Sequence, residues 1–283
     1  MKVEDYLQEG KLDQALEQLQ TQVRNNPSKS EQRIFLFQLL SVMGQWHRAL
    51  TQLNVAGELD AGALAMVQTY REAIRCEVLR AEVFAGKRSP QLFGKPEQWE
   101  AQLIEALSLM ADGHYAHART LRDEAFDAAP AVSGVCDGGP FNWIADADTR
   151  LGPILEAVIN GQYFWVPFHH IHKIIVEEPA DLRDLVWMPA HFVWSNGGES
   201  VGLIPTRYPG SETSEDDALR LARKTEWQEC SDDIYLGYGQ RVLATDTGEY
   251  PLMDIRVITL DTASVTQEES KAAEIADAEA CDG

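Results

Sequence analysis

The 283-residue sequence predicts an α+β protein, with helical repeats over residues 1–130 followed by a small mixed, mainly β domain over residues 131–260. Three observations predict this division. A glycine–apolar–alanine pattern recurs in the first half, a Gly/Ser/Asp-rich break follows Pro130, and a series of short β-rich runs follows that break. The second half reads as a bent sheet or barrel-like unit.

The repeat is read from spacing. Gly10, Leu12 and Ala15 are followed by Pro27, and Gly44, Trp46 and Ala49 restate the start of the pattern 34 residues later. Gly113, Tyr115 and Ala118 restate it again, with Pro130 at the offset that Pro27 has from Gly10. A glycine, an aromatic or Leu at +2, a small Ala at +5 and a closing proline is tetratricopeptide-like grammar. The glycine ends one helix, the alanine lets two helices approach, and the proline stops the second. Trp46 and Tyr115 are expected to shape the repeat core, and such repeats stack into surfaces that hold another protein's helix or peptide.

Within the helical half, Leu12, Leu16, Leu19 and Val23 fall on one helical face, as do Phe35, Leu39 and Val42. Ser28 or Ser30 is placed to cap the helix entering Ile34. A long amphipathic helix is expected from Ala63 to Phe84, closed by Gly86, and another from Glu97 to Ala111, opened by Pro96. No glycine–aromatic–alanine set survives between Gly44 and Gly113, so that copy is degenerate.

After Pro130, residues 131–140 read as a linker. A short helix is expected around Pro153 to Ile159. Strands are expected at Tyr163–Phe168, Ile171–Val176, Leu185–Met188, His191–Trp194, Val201–Ile204, Ile234–Tyr238, Arg241–Ala244 and Asp254–Leu260. Asn196-Gly197-Gly198 marks a hairpin turn. Ser214 to Asp217 resembles a capping box that starts a helix running to Lys224. Residues 261–283 read as an acidic, disordered tail.

Net charge is −21, unevenly placed. Residues 1–130 carry 14 Lys/Arg against 18 Asp/Glu, and residues 131–283 carry 10 against 27. Such a field repels nucleic acid and anionic lipid and favours basic partners. The N-terminus has no apolar signal region, and the most apolar run, Ile34–Met43, is too short to span a bilayer. A cytoplasmic protein is expected. The cysteines at 76, 136, 230 and 281 are far apart and read as reduced thiols.

Candidate chemistry is sparse. Gly198-Glu199-Ser200-Val201-Gly202 matches a serine-hydrolase pentapeptide, but it follows a hairpin turn and runs into Pro205, where no helix can start. Cys136 lies beside Asp137 with no basic neighbour to activate it. His170 and His172 alternate onto one face of a predicted strand, and with His191 they make an alternative metal site, the basis of a competing metal-dependent hydrolase reading. No cofactor motif is present in the sequence. Four tryptophans of the second half, Trp143, Trp165, Trp187 and Trp194, are expected to be mostly core. Arg207 and Tyr208, in a predicted loop, are the exposed partner-binding candidates.

Several phrases of the second half resemble the ImpE/TagJ (SciE-type) accessory family of bacterial type VI secretion systems. They are residues 141–146 (FNWIAD), 148–153 (DTRLGP), 161–167 (GQYFWVP), 182–187 (LRDLVW), 205–209 (PTRYP), 222–227 (ARKTEW), 237–241 (GYGQR) and 252–256 (LMDIR). The likeness runs in order from about Leu7 to Leu260. It implies a cytoplasmic, non-enzymatic accessory protein with no cofactor. Its implied partner is an N-terminal helix of the small sheath subunit, of the TssB/VipA type, with an indirect link to the ClpV-type disassembly ATPase. The helical half is the expected home of the groove for that helix.

Overall fold

In the computed structural model, which describes residues 2–262, helices pack against one face of a long bent sheet. The helices are α1 (Val3–Gln8), α2 (Leu12–Asn25), α3 (Ser30–Val42), α4 (Trp46–Leu59), α5 (Leu64–Phe84), α6 (Gln98–Ala111) and α7 (Tyr115–Ala128). A one-turn α8 (Asp217–Arg220) lies in the second half. Among the described residues, no helix is long and apolar enough to cross a membrane.

Three helix hairpins share one turn geometry. Gly10, Gly44 and Gly113 have φ of 69°, 66° and 78°, the left-handed region that lets a helix end without a Cβ clash. In each, the next N–H reaches back to close the turn: Lys11 to Tyr6 O, Gln45 to Leu40 O and His114 to Leu109 O, each at 2.8 Å. Ala15, Ala49 and Ala118 are fully buried where the paired helices meet, as the spacing predicts. The degenerate copy between the α3–α4 and α6–α7 hairpins is occupied by the long, uninterrupted α5.

The strands are β1 (Gln91–Leu92), β2 (Gly134–Cys136), β3 (Gly139–Phe141), β4 (Ile144–Asp146), β5 (Ile154–Ile159), β6 (Gln162–Pro167) and β7 (Ile171–Val176). They continue as β8 (Trp187–Trp194), β9 (Glu199–Pro205), β10 (Thr225–Ser231), β11 (Ile234–Gly239), β12 (Val242–Thr245), β13 (Glu249–Pro251) and β14 (Val257–Leu260). Nine form one sheet in the order β1-β6-β5-β9-β8-β7-β14-β2-β3, antiparallel except for the β1–β6 pair. A three-stranded sheet, β13-β12-β4, and the β10–β11 hairpin complete the half. The sheets are bent and unclosed, so the expected α+β class holds, with a main sheet larger than the small unit the sequence suggested.

Several local expectations are corrected. Ile154–Ile159, within the expected helix, form strand β5 instead: all six residues are buried, and burial on both faces overrides the helix preference of Leu, Glu and Ala. The turn after it, Asn160-Gly161 with φ of 51° and 75°, is the hairpin signal that the reading missed. The expected linker at 131–140 instead contains β2 and β3, joined at Asp137-Gly138, where φ is 46° and 89°. The helix expected through Lys224 ends at Arg220, and its N-cap is Asp216, whose side chain accepts from Ala218 N–H at 2.8 Å. Leu185–Met188 and His191–Trp194 belong largely to one strand, β8. Met1 and the region from 263 onward, including most of the expected tail, lie outside the described residues.

Alternation divides the sheet between two cores. From β8, Met188, Ala190, Phe192 and Trp194 enter a core with Leu155, Ala157, Ile174, Ile258 and Leu260. The opposite face supplies Ile154, Val158, Tyr163, Trp165, Trp187 and Leu203 to a core shared with Leu39, Val42, Leu53, Tyr70, Ile74 and Val83 of the helices. The two halves therefore have a common hydrophobic interior. A smaller cluster seats α6 and α7 against Ile234 of the β10–β11 hairpin.

Candidate functional site

The seam between the helices and the sheet is built around buried charge. Arg80 on α5 forks onto Glu156 of β5, with Nε 2.6 Å from Oε1 and Nη2 2.8 Å from Oε2. The same Nη2 donates to the Arg207 carbonyl at 2.8 Å. Arg241 bridges Glu156 and Asp146, and the Tyr163 hydroxyl donates to Glu156 Oε1 at 2.5 Å. Burial alone would raise Glu156, but Arg80 and Arg241 overcome it and hold its carboxyl at about 2. At Asp146 the balance reverses: burial outweighs Arg241 and raises it to about 6. Glu77, also raised by burial, accepts from Trp187 Nε1 at 3.0 Å. These groups lie inside the shared core, where a charge is tolerated only when paired.

Arg207 and Tyr208 belong to this seam. Both are buried, against the expectation that their loop would expose them. Arg207 Nη1 donates to the Val42 carbonyl at 2.7 Å, capping the C-terminal end of α3, and to the Arg220 carbonyl at 2.5 Å. Burial lowers Arg207 to about 10, which leaves it charged at neutral pH. The Tyr208 hydroxyl lies 3.0 Å from Asp146 Oδ1 and accepts from Val242 N–H at 3.0 Å. A loop rich in Arg, Tyr and Pro signals an anchor, and here the surface it anchors to is the protein's own helical layer.

The helices' aromatic faces are filled in the same way. Trp187 packs between Trp46 and Tyr70, with ring centroids 5.9 and 5.6 Å apart. Trp165 and Trp194 are buried as expected, whereas Trp143 is exposed. Tyr115 is half-buried against the small α6–α7 cluster.

Where the helices stop covering the sheet, a groove of about 740 Å³ opens between α5 and β5, β9, β8 and β7. Ala65, Gln68, Thr69 and Glu72 of α5 form one wall. Its floor follows the register: Val158 pairs with Leu203, Leu203 with Pro189, Val201 with His191, and His191 with Ile175. These residues share the face that carries Trp187 inward, and Val201 is 75% exposed and Ile175 36%. Neighbouring strands are spaced about 4.8 Å apart, so β7 to β9 span about 10 Å, the width of one α-helix. Glu72 and Glu177 put negative charge on the rim.

The histidines do not assemble as expected. His170 ends a 3-10 turn (Phe168–His170) and His172 lies on β7, while His191 faces the groove and pairs with Glu199 at 3.2 Å. Among the described residues, the set that converges is Glu97, His169 and His170. His170, His172 and His191 thus do not form the alternative metal site. Glu97 escaped the sequence reading because only the fold brings the start of α6 to the β6–β7 turn. Ser200 sits within β9 and accepts from Trp194 Nε1 at 3.1 Å, without a nucleophile elbow. Cys136 is buried, and burial pushes its thiol up to about 12.

Helix hairpins sharing a core with a bent, unclosed sheet, and an open groove at their seam, make this an α+β scaffold. The chain belongs to the ImpE/TagJ family of type VI secretion accessory components. The sequence model of the ImpE protein family matches residues 138–259. The type VI secretion system accessory component TagJ of Pseudomonas aeruginosa is 54% identical over 92% of this chain and 92% of its own length. The crystal structure of protein VPA1032 from Vibrio parahaemolyticus is similar over 91% of this chain and 97% of its own, with 26% identity and a TM-score of 0.83.

Proposed function

We propose that the chain is a non-enzymatic adaptor that holds the N-terminal helix of the small contractile-sheath subunit in the groove between α5 and the sheet. In that role it bears on how the ClpV-type ATPase handles the sheath, acting in the cytoplasm. The observation that carries this reading is the groove's floor, where the exposed Val201 and Ile175 continue the apolar surface of the buried Val158 and Leu203. An amphipathic helix would seat anchors at i, i+3, i+4 and i+7 on such a floor. The acidic rim favours a helix with basic flanks and speeds encounter more than it tightens the complex. The seam is favoured over the helical repeats as the groove's location because Trp187 already packs on Trp46 and Tyr70 of the helical layer.

The test is a calorimetric titration of the full chain with the synthetic N-terminal helix of the small sheath subunit encoded with it. Saturable one-to-one binding is expected, weakened at least about tenfold (~1.4 kcal/mol) by Val201→Glu, since the variant puts a carboxylate into the apolar contact. Val201 is open to solvent, so the variant folds normally. Point variants are needed because deleting the helices would strip a shared core. No binding at about 100 μM peptide (weaker than about −5.5 kcal/mol) would refute the reading. Unchanged affinity in Val201→Glu would refute the location.

A further inference from the structure

The loop between α5 and α6 is fastened to the sheet at several points. Its β1 segment pairs with β6, Phe93 N–H donates to the Trp165 carbonyl at 3.0 Å, and the Phe93 ring packs on Trp194 at 4.2 Å. Beyond Phe93 the loop crosses the Phe168–His170 turn, and there three ligating side chains meet. One oxygen or nitrogen from each of Glu97, His169 and His170 lies within 4.8 Å of the others. His169 Nε2 and Glu97 Oε1 are 3.1 Å apart. The edge of a tetrahedral zinc site with bonds of about 2.0–2.1 Å is roughly 3.3 Å, so this pair already has nearly the required separation.

Two further features point to a ligand. His170 Nε2 is buried and has no hydrogen-bond partner among the described residues, a condition that is ordinarily destabilising. The space before it is kept open by Gly94: a Cβ there would lie 2.6 Å from His170 Nε2. The carboxylate is also oriented from outside the cluster, since Trp99 Nε1 donates to Glu97 Oε2 at 3.2 Å and leaves Oε1 toward His169. Metal-binding carboxylates commonly have such an outer partner.

We propose that Glu97, His169 and His170 form a structural Zn2+ site, completed by water, that clips the start of α6 to the β6–β7 turn. Two imidazoles and one carboxylate suit Zn2+ over the oxygen-seeking Mg2+ and Ca2+. Closing the trio from 4.8 Å takes only side-chain movement, because His169 and Glu97 are partly exposed while His170 is held under the loop. The site would fasten the helical layer to the sheet through residues other than the Arg80–Glu156 cluster.

The experiment is a calorimetric titration of ZnCl2 into the chelator-treated full chain at pH 7.5, with thermal unfolding followed in parallel. One equivalent is expected to bind, and melting should rise by about 5 °C when free zinc is a hundred times Kd. His170→Ala and Glu97→Gln should each weaken zinc by more than about 100-fold, beyond the 10–100-fold that loss of an outer partner costs. Glu97→Gln keeps an acceptor at the start of α6, so it supplies a folded variant should His170→Ala prove unstable. His172→Ala and His191→Ala should leave zinc affinity unchanged. The proposal is overturned if the wild-type chain takes up no zinc at about 100 μM. It is equally overturned if Glu97→Gln binds as the wild type does, or if His172→Ala or His191→Ala is the variant that loses the metal.

Discussion

Arg80→Met tests the claim that the helices and the sheet are one cooperative unit. Methionine keeps roughly the length and apolar stem of the arginine while removing its charge and donors. The lost contacts are the two-pronged bond to Glu156, the bond to the Arg207 carbonyl and the longer 3.4 Å approach to Glu77. All three partners are buried. Removing one member of a buried ion pair ordinarily costs about 3–5 kcal/mol, because the partner is left uncompensated. Here Glu156 keeps Arg241 and the Tyr163 hydroxyl, which puts the expected loss near the lower bound, about 3 kcal/mol. At about 2.1 cal/mol/K per residue, this corresponds to a fall in melting temperature of about 5 °C. The assay is urea unfolding at pH 7, followed by far-UV circular dichroism for the helices and by tryptophan fluorescence for Trp187 at the seam. The two signals should move together to a lower midpoint, and a cycle with Glu156→Gln should show coupling above about 1 kcal/mol. A loss under about 1 kcal/mol, or signals that separate into two transitions, would refute the argument.

Three further outcomes follow from the same geometry. Gly44→Ala should destabilise more than Gly113→Ala in thermal unfolding: both positions have positive φ, with a cost of about 1 kcal/mol, but only at Gly44 would the Cβ meet Glu212 Cγ, at 2.5 Å. Equal losses would remove the α3–α4 turn from the seam. Glu156, held near 2 from an ordinary 4.5, contributes about 3 kcal/mol that is fully present above pH 4.5 and lost as pH falls through 2. Asp146, raised from 3.8 to about 6, acts with the opposite sign, its share being present below pH 3.8 and lost as pH rises through 6. Stability measured against pH should therefore lose its decline between pH 4 and 6 in Asp146→Asn. In a thiol titration of the native protein at pH 8, Cys76 and Cys136 should stay unreactive, because burial pushes both thiols up to about 12. Prompt labelling of both would show that the seam and the sheet interior open readily.

Features that depend on near neighbours were legible in the amino-acid order alone. Gly10, Gly44 and Gly113 fixed three helix turns because only a residue without Cβ takes φ near 70° cheaply, and the alanines five positions on marked where paired helices touch. Strands with one buried face, such as Ile171–Val176, declared themselves by composition and alternation. The ordered phrases from Phe141 to Arg256 were enough to indicate the family. Tertiary structure decided whatever depends on residues far apart in the chain. Strand β5 looks helical because Leu, Glu and Ala favour helix, and it is a strand because both faces are buried and its Glu156 meets Arg80 and Arg241. Arg207 and Tyr208 look like surface anchors, and they are buried because the end of α3 and Asp146 supply their partners. Glu97 joins His169 and His170 only once β1 has docked beside β6. The groove exists because the helical layer ends before the sheet does, a boundary set by how two layers pack and not by any one stretch of residues.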